Sequence, residues 1–173
     1  MAERTIYRIP IYCMIKMVYE FLDHKSDVYV HVTSSSLSRA FEDAAAATFD
    51  VMLEQGSVRC KRTIDLKIEA TDVEQLLYMW VDRLLYHFDA DSFALARAEV
   101  KSLRRRGNGK GKDNGPDKEE GKGGFSLSAR LHGEDYNPEM HSQKVGVKAM
   151  TYSLMMISKG AAGNAELHFV LDI

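Results

Sequence analysis

The sequence predicts an α+β fold, a single domain in which two helices pack on one main β-sheet. A chain of 173 residues fits one domain, and its 45% hydrophobic content can fill one ordinary core. Segments with strand-like alternation occur in clusters along the chain, and two segments carry apolar residues at helical spacing. Strands in clusters, instead of a regular strand–helix alternation, are typical of α+β domains.

The first predicted elements are a strand end, a strand and a helix. Glu20 to Asp27 reads as a strand end that runs into a polar loop. Apolar and polar residues alternate from Val28 to Thr33, which is the period of a half-buried strand. The hydroxyl residues from Thr33 to Ser36 offer helix N-caps, so a helix is predicted from Leu37 to Glu54, where an alanine run raises helix propensity.

A strand and the clearest helix of the sequence follow. Val58 to Ala70 alternates loosely and predicts a strand. Thr71 to Glu74 has the Ser/Thr-x-x-Glu form of a capping box. An apolar stripe at steps of three and four residues then extends to Phe88, which predicts a helix that buries this face on a sheet.

The remaining sequence predicts four strands and one long loop. The strands are expected at Ser92–Leu103, Phe125–Leu131, Val147–Ile157 and Glu166–Ile173. Arg104 to Gly124 has seven of the 12 glycines and no large apolar residue, so it is expected to be a disordered loop. The predicted organisation is an N-terminal extension of residues 1–16 and one domain of residues 17–173, with a flexible insert at 104–124.

Composition excludes several classes of protein. The formal net charge of −2 and the pI near 6.3 do not indicate a nucleic-acid binder, so any RNA contact is expected to be weak or indirect. No apolar run reaches the roughly 18 residues of a membrane span, and Asp82 and Arg83 interrupt the longest one. Cys13 and Cys60 form neither a disulfide framework nor a zinc pattern, which fits a reducing compartment.

The two ends of the domain carry candidate ligands for a divalent cation. The sequence finishes on the apolar run Val170 to Ile173, so the Asp172 side chain and the Ile173 α-carboxylate are expected to be held rigidly in the sheet. Asp27, just before an alternating segment, is a candidate to meet them. Three converging hard oxygen ligands describe a site for a divalent cation. In the alternative, Asp27 caps a loop and Asp172 is a solvated strand end.

Four sequence blocks resemble a known protein family. They are Tyr19–His24 with Asp27-Val28, Leu84–Tyr86 with Phe88-Asp89, Gly133-Glu134 with His141 and Val147–Tyr152, and Val170–Ile173. In this order and spacing they resemble the archease family, over about Val18 to Ile173 apart from the glycine-rich insert.

The resemblance implies a fold, a function and a site. The fold is a mixed sheet with two helices packed on it. The implied function is to assist the RtcB-type RNA ligase of tRNA splicing, by promoting guanylylation of the ligase and its multiple turnover. Such proteins are cytosolic or nuclear activators, not enzymes, with no small-molecule substrate and no membrane. The implied metal ligands are Asp27, Asp172 and Ile173, for Ca²⁺ or else Mg²⁺ or Mn²⁺, and the functionally required lysine is Lys148.

Other interpretations of the same residues stay open. The acids together with His24 could serve a stand-alone metal-dependent phosphoester hydrolase, and a chaperone-like modulator of RNA-modifying enzymes is a third hypothesis. Lys148 could be a solvated edge lysine. His141 could belong to a partner surface or could be a structural turn histidine.

Overall fold

The strands form two antiparallel sheets with two helices. The structure, a computed structural model, describes residues 19–22, 27–107, 123–160 and 163–173. In chain order the elements are β1 (Tyr19–Leu22), β2 (Asp27–Ser34), α1 (Leu37–Met52), a 3₁₀ turn (Gln55–Ser57), β3 (Arg62–Ala70), α2 (Val73–Asp91), β4 (Phe93–Arg106), β5 (Gly124–Asp135), β6 (Ala149–Lys159) and β7 (Ala165–Asp172). The strand orders are β1-β2-β7-β6 and β3-β5-β4.

The α+β class and the two helices of a single domain are confirmed, but the prediction of one mixed sheet is wrong. Every strand pair among the described residues is antiparallel. Three of these pairs, β1–β2, β4–β5 and β6–β7, join consecutive strands, whereas a parallel pair needs a crossover connection of about a dozen residues or more. Each helix contacts strands of both sheets, so the two sheets share one core.

Helix α1 begins where the hydroxyl residues predict it and ends earlier than expected. Ser36 is the N-cap, and its side chain accepts a hydrogen bond from the Arg39 backbone N–H at 3.2 Å. The helix ends at Met52, not at Glu54, because Leu53 adopts an extended conformation and forms a β-bridge with Gln143.

Helix α2 is capped one residue later than the predicted capping box. Asp72 is the N-cap and accepts from the Gln75 backbone N–H at 2.7 Å, while Gln75 Oε1 accepts from the Thr71 N–H at 2.7 Å. Trp80, fully buried, donates its indole N–H to the Phe41 carbonyl of α1 at 2.9 Å and so joins the helices. Neither helix of the described residues has the length and apolarity that crossing a membrane requires.

The ends of the predicted disordered insert belong to the β4–β5 hairpin, so the predicted boundaries are wrong. Arg105 pairs with Phe125 and Arg106 with Gly124. Charged residues extend the strands because their backbones pair in the ladder, and the Arg106 guanidinium binds Glu69 at 2.5 Å. Residues 108–122 of the insert, like the predicted extension of residues 1–16, lie outside the described residues.

One face of the β1-β2-β7-β6 sheet packs on the core, and the opposite face, here called the outer face, carries polar residues. Side chains alternate between the faces along each strand. Val30 of β2 and Phe169 of β7 are fully buried on the core side. The outer face therefore receives the residues of the other parity, among them Asp27, His31, His168 and Asp172.

Candidate metal centre

The two predicted aspartate ligands lie opposite each other at one end of the outer face. Asp27 is the first residue of β2, Asp172 is the last of β7, and they are paired in the antiparallel register. The Cβ atoms of such directly opposed residues are about 4.5–5.5 Å apart and lie on the same face. Both residues are half-buried. The structure thus brings together two residues that are far apart in sequence.

Lys148 and Ile173 reach the same corner of the sheet. The Lys148 backbone N–H donates to the Asp172 carbonyl at 2.8 Å, and its Nζ donates to a main-chain oxygen of Ile173, also at 2.8 Å. Lys148 immediately precedes β6, whose first residue, Ala149, is paired with Asp172. Lys148 is exposed, as the solvated-lysine alternative expects, but it also binds the end of the adjacent strand.

The charges and donor atoms at this corner fit a hard divalent cation. Two carboxylates about 4 Å apart repel by roughly 4 kcal/mol at an effective dielectric constant near 20, so their pairing favours a nearby positive charge. Lys148 brings one such charge. Carboxylate and main-chain oxygens, here from Asp27, Asp172 and Ile173, are the ligands that Ca²⁺ and Mg²⁺ prefer.

His141 is a structural turn histidine with partners of its own. It is buried, and its Nδ1 accepts from the Asn137 backbone N–H at 3.0 Å. Nε2 therefore carries the proton and donates to Glu134 Oε1 at 3.1 Å. The buried Glu134 carboxylate also accepts from the Arg59 N–H at 2.8 Å and binds Lys61 at 2.5 Å. Asp23 and His24 lie outside the described residues.

Glu134→Gln is expected to flatten the acid limb of the stability curve. The hydrogen bond from Lys61, with those from Arg59 and His141, lowers the pKa of Glu134 from 4.5 to about 2, against the opposing effect of desolvation. A lowered pKa in the folded state stabilises it above pH 4.5, and this contribution is lost as the pH falls toward 2. Urea unfolding between these pH values measures the slope.

Three outer-face residues, His31, Glu166 and His168, were not among the functional residues predicted from the sequence. Their ligand atoms lie within 4.8 Å of one another. Alternation in Val28 to Thr33 places His31 on the polar face of its strand, but only the pairing of β2 with β7 shows that His168 lies directly opposite it. The alternation within each strand therefore shows which residues face outward, but only the pairing of the two strands shows that these residues form one cluster.

Comparison with known proteins gives consistent matches. The model of the Archease protein family matches residues 19–173. Protein archease of Sulfolobus acidocaldarius is 32% identical over 155 residues, covering 90% of this chain and 98% of that protein. Protein archease of Ictalurus punctatus is 35% identical over 165 residues, covering 94% and 89%.

A solved structure agrees with the sequence matches. The solution structure of Methanobacterium thermoautotrophicum protein 1598 is similar with a TM-score of 0.66 and 26% identity, over 90% of this chain and 98% of that chain. The family model covers nearly the whole described chain and several relatives exceed 30% identity. These matches support an accessory role, and they show that the chain belongs to the archease family.

Proposed function

We propose that this protein is a metal-binding activator of an RtcB-type RNA ligase in tRNA splicing. It would promote guanylylation of the ligase and so allow repeated turnover, without being an enzyme itself. Family membership supports the proposal. The observation that carries it is the meeting of Asp27, Asp172, Lys148 and Ile173 at one corner of a sheet.

Each residue of the corner has a role in the proposal. Asp27, Asp172 and a main-chain oxygen of Ile173 hold the divalent cation, Ca²⁺ or else Mg²⁺ or Mn²⁺. The bound cation supplies positive charge that offsets the charge of a nucleoside triphosphate during nucleotidyl transfer. Lys148 fixes the end of β7 through its bond to Ile173 and adds a second positive charge. The partner is the ligase, in the cytoplasm or nucleus, and RNA is contacted only through it.

Reconstitution with a purified ligase tests the proposal. The ligase is incubated with labelled GTP, with and without this protein at a substoichiometric ratio, and its covalent guanylate is measured. Stimulation that a metal chelator removes and added Ca²⁺, Mg²⁺ or Mn²⁺ restores is the expected result. A ligase unaffected by this protein would contradict the proposal. Release of nucleotide products by this protein alone would instead favour a hydrolase.

Lys148→Met is expected to reduce the stimulation by about tenfold or more. The change removes the ammonium group but keeps an unbranched side chain, and a hydrogen bond to a charged group contributes about 1.5–3 kcal/mol. The initial rate of ligase guanylylation measures the effect. Lys144→Met is the matched control, because Lys144, four residues earlier in the sequence, is an exposed lysine that binds Asp50 instead, at 3.0 Å. Equal rates for both variants would remove Lys148 from the proposed mechanism.

A further inference from the structure

Two histidines and a glutamate converge on the outer face, away from the Asp27–Asp172 pair. His31 Nε2 lies 2.8 Å from Glu166 Oε1, and His168 Nε2 lies 3.3 Å from the same oxygen. Two imidazole nitrogens thus surround one carboxylate oxygen. His31 and His168 are opposed in the register, and Glu166 is two residues from His168 on the same face.

The remaining ring nitrogens of both histidines have polar partners. His31 Nδ1 lies 2.8 Å from Glu20 Oε1 of β1. His168 Nδ1 lies 3.1 Å from the Tyr29 hydroxyl of β2. A metal-bound histidine nearly always donates its other ring N–H to such a group, which fixes the tautomer and the ring orientation. With Nδ1 protonated in both rings, the two Nε2 lone pairs are available to one ion beside Glu166.

We propose that His31, His168 and Glu166 form a second metal site, for a divalent transition metal of the zinc class. Two imidazoles and one carboxylate are a ligand set found in zinc proteins, with water completing the coordination. The side chains are 19%, 12% and 43% exposed, respectively, so an ion can enter from solvent. The rings stack at 4.2 Å with an interplanar angle of 9°, and binding requires a small rotation of each ring toward the ion.

This site is separate from the corner formed by Asp27, Asp172, Lys148 and Ile173, here called the aspartate corner. His31 follows Asp27 by four residues on the same face of β2, which places the two sites roughly 13 Å apart. That distance is too large for one ion to serve both. The donors also differ, because the aspartate corner offers oxygen alone, whereas imidazole nitrogen suits zinc and its neighbours in the transition series.

A bound ion would connect three strands. Its ligands come from β2 and β7, and Glu20 supports His31 from β1. Ser158 of β6 donates to Glu166 Oε2 at 3.4 Å and adds the fourth strand of the sheet. The role that follows from this placement is to stabilise the sheet that presents the aspartate corner, so binding should raise the thermal unfolding midpoint.

Titration of the metal-free full chain with ZnCl₂ tests the site, with calorimetry for affinity and Co²⁺ absorption for nitrogen ligation. The wild type should bind one equivalent through nitrogen ligands. His168→Gln and His31→Gln should each weaken this binding by about 100-fold or more, since removing a ligand should exceed the 10–100-fold effect of removing a supporting group. His132→Gln is the matched control, because His132 is a sheet histidine outside this cluster, with its Nε2 3.4 Å from a carboxylate oxygen of Glu99.

Two further variants test the group that supports His31 and the independence of this site from the aspartate corner. Glu20→Gln, which changes only a supporting group, should weaken Zn²⁺ binding by about 10–100-fold with stoichiometry unchanged. Asp172→Asn should leave Zn²⁺ binding at the histidines intact. Thermal unfolding without metal confirms that each variant is folded. Equal Zn²⁺ affinity in the wild type and His168→Gln, or a Co²⁺ spectrum without nitrogen ligation, would overturn the site and leave the cluster a network of ion pairs.

Discussion

Asp172→Asn is expected to reduce the stimulation of ligase guanylylation by on the order of 100-fold or more, while the protein stays folded. Loss of a direct ligand should exceed the 10–100-fold cost of losing a group that only supports one. The fold should tolerate the change, because like charges directly opposite each other on adjacent strands are destabilising and the substitution removes one of them. In the presence of a metal chelator, the free energy of unfolding of the variant should therefore equal or slightly exceed that of the wild type.

Added cation should reverse this order of stability. A ligand that binds only the folded state stabilises it by about 2.7 kcal/mol at 100 times its Kd, so Ca²⁺ should stabilise the wild type and not Asp172→Asn. Asp27→Asn should behave in the same way. Asp135→Asn is the control, since Asp135 is an exposed strand-end aspartate that binds Arg62 at 2.6 Å. Full stimulation of the ligase by both Asp27→Asn and Asp172→Asn would refute the metal role.

Gly133→Ala is expected to destabilise the domain by about 3 kcal/mol or more, beyond the usual range for an overpacked site. A Cβ at this position in β5 would collide with the Ala94 carbonyl oxygen and would lie 2.8 Å from Phe93 Cζ. The Ala94 backbone cannot move without disturbing the β4–β5 pairing, which already has a register shift after Leu95. For a chain of this length, the unfolding midpoint should fall by roughly 6–12 °C.

Gly146→Ala is the matched control for this effect. Gly146 lies in the loop before β6, and a Cβ there would meet nothing within 4 Å. Replacing glycine by alanine where the backbone permits it stabilises proteins by about 0.4–1 kcal/mol, because the unfolded chain loses freedom. Thermal unfolding of both variants compares the two glycines. Similar midpoints would show that the backbone around Gly133 yields more readily than the structure indicates.

The helices were predicted well from the sequence because the features that produce them, an apolar stripe and a capping residue, lie within one segment. The apolar stripe that ends at Phe88 requires a buried face within one segment, and Ser36 caps a helix that starts at the next residue. The division into two sheets could not be predicted in this way. Strand pairing depends on contacts between distant segments, and alternation in Val28 to Thr33 is the same whichever strand lies beside it.

For the candidate sites, too, some residues could be predicted from the sequence and others only from the pairing of distant strands. Family resemblance indicated Asp27, Asp172, Ile173 and Lys148, and the register places these residues at one corner. Resemblance gave no signal for the histidine cluster, whose members are polar residues of ordinary strands. Its detection needed the pairing of His31 with His168, which no spacing along the chain encodes.

The pairing of β2 with β7 also has a consequence for how the protein is made. Residues that meet across these strands, such as Tyr29 and His168, are 139 residues apart in sequence. During synthesis, β2 leaves the ribosome early but cannot pair with β7 until the end of the chain is made. Strands β3, β4 and β5 all precede β7, so their sheet can form before then. Closing so long a loop costs entropy before its contacts form, which slows folding. The aspartate corner should therefore be the last part to assemble on the ribosome, and a nascent chain stalled before β7 should expose an unpaired strand edge to chaperones.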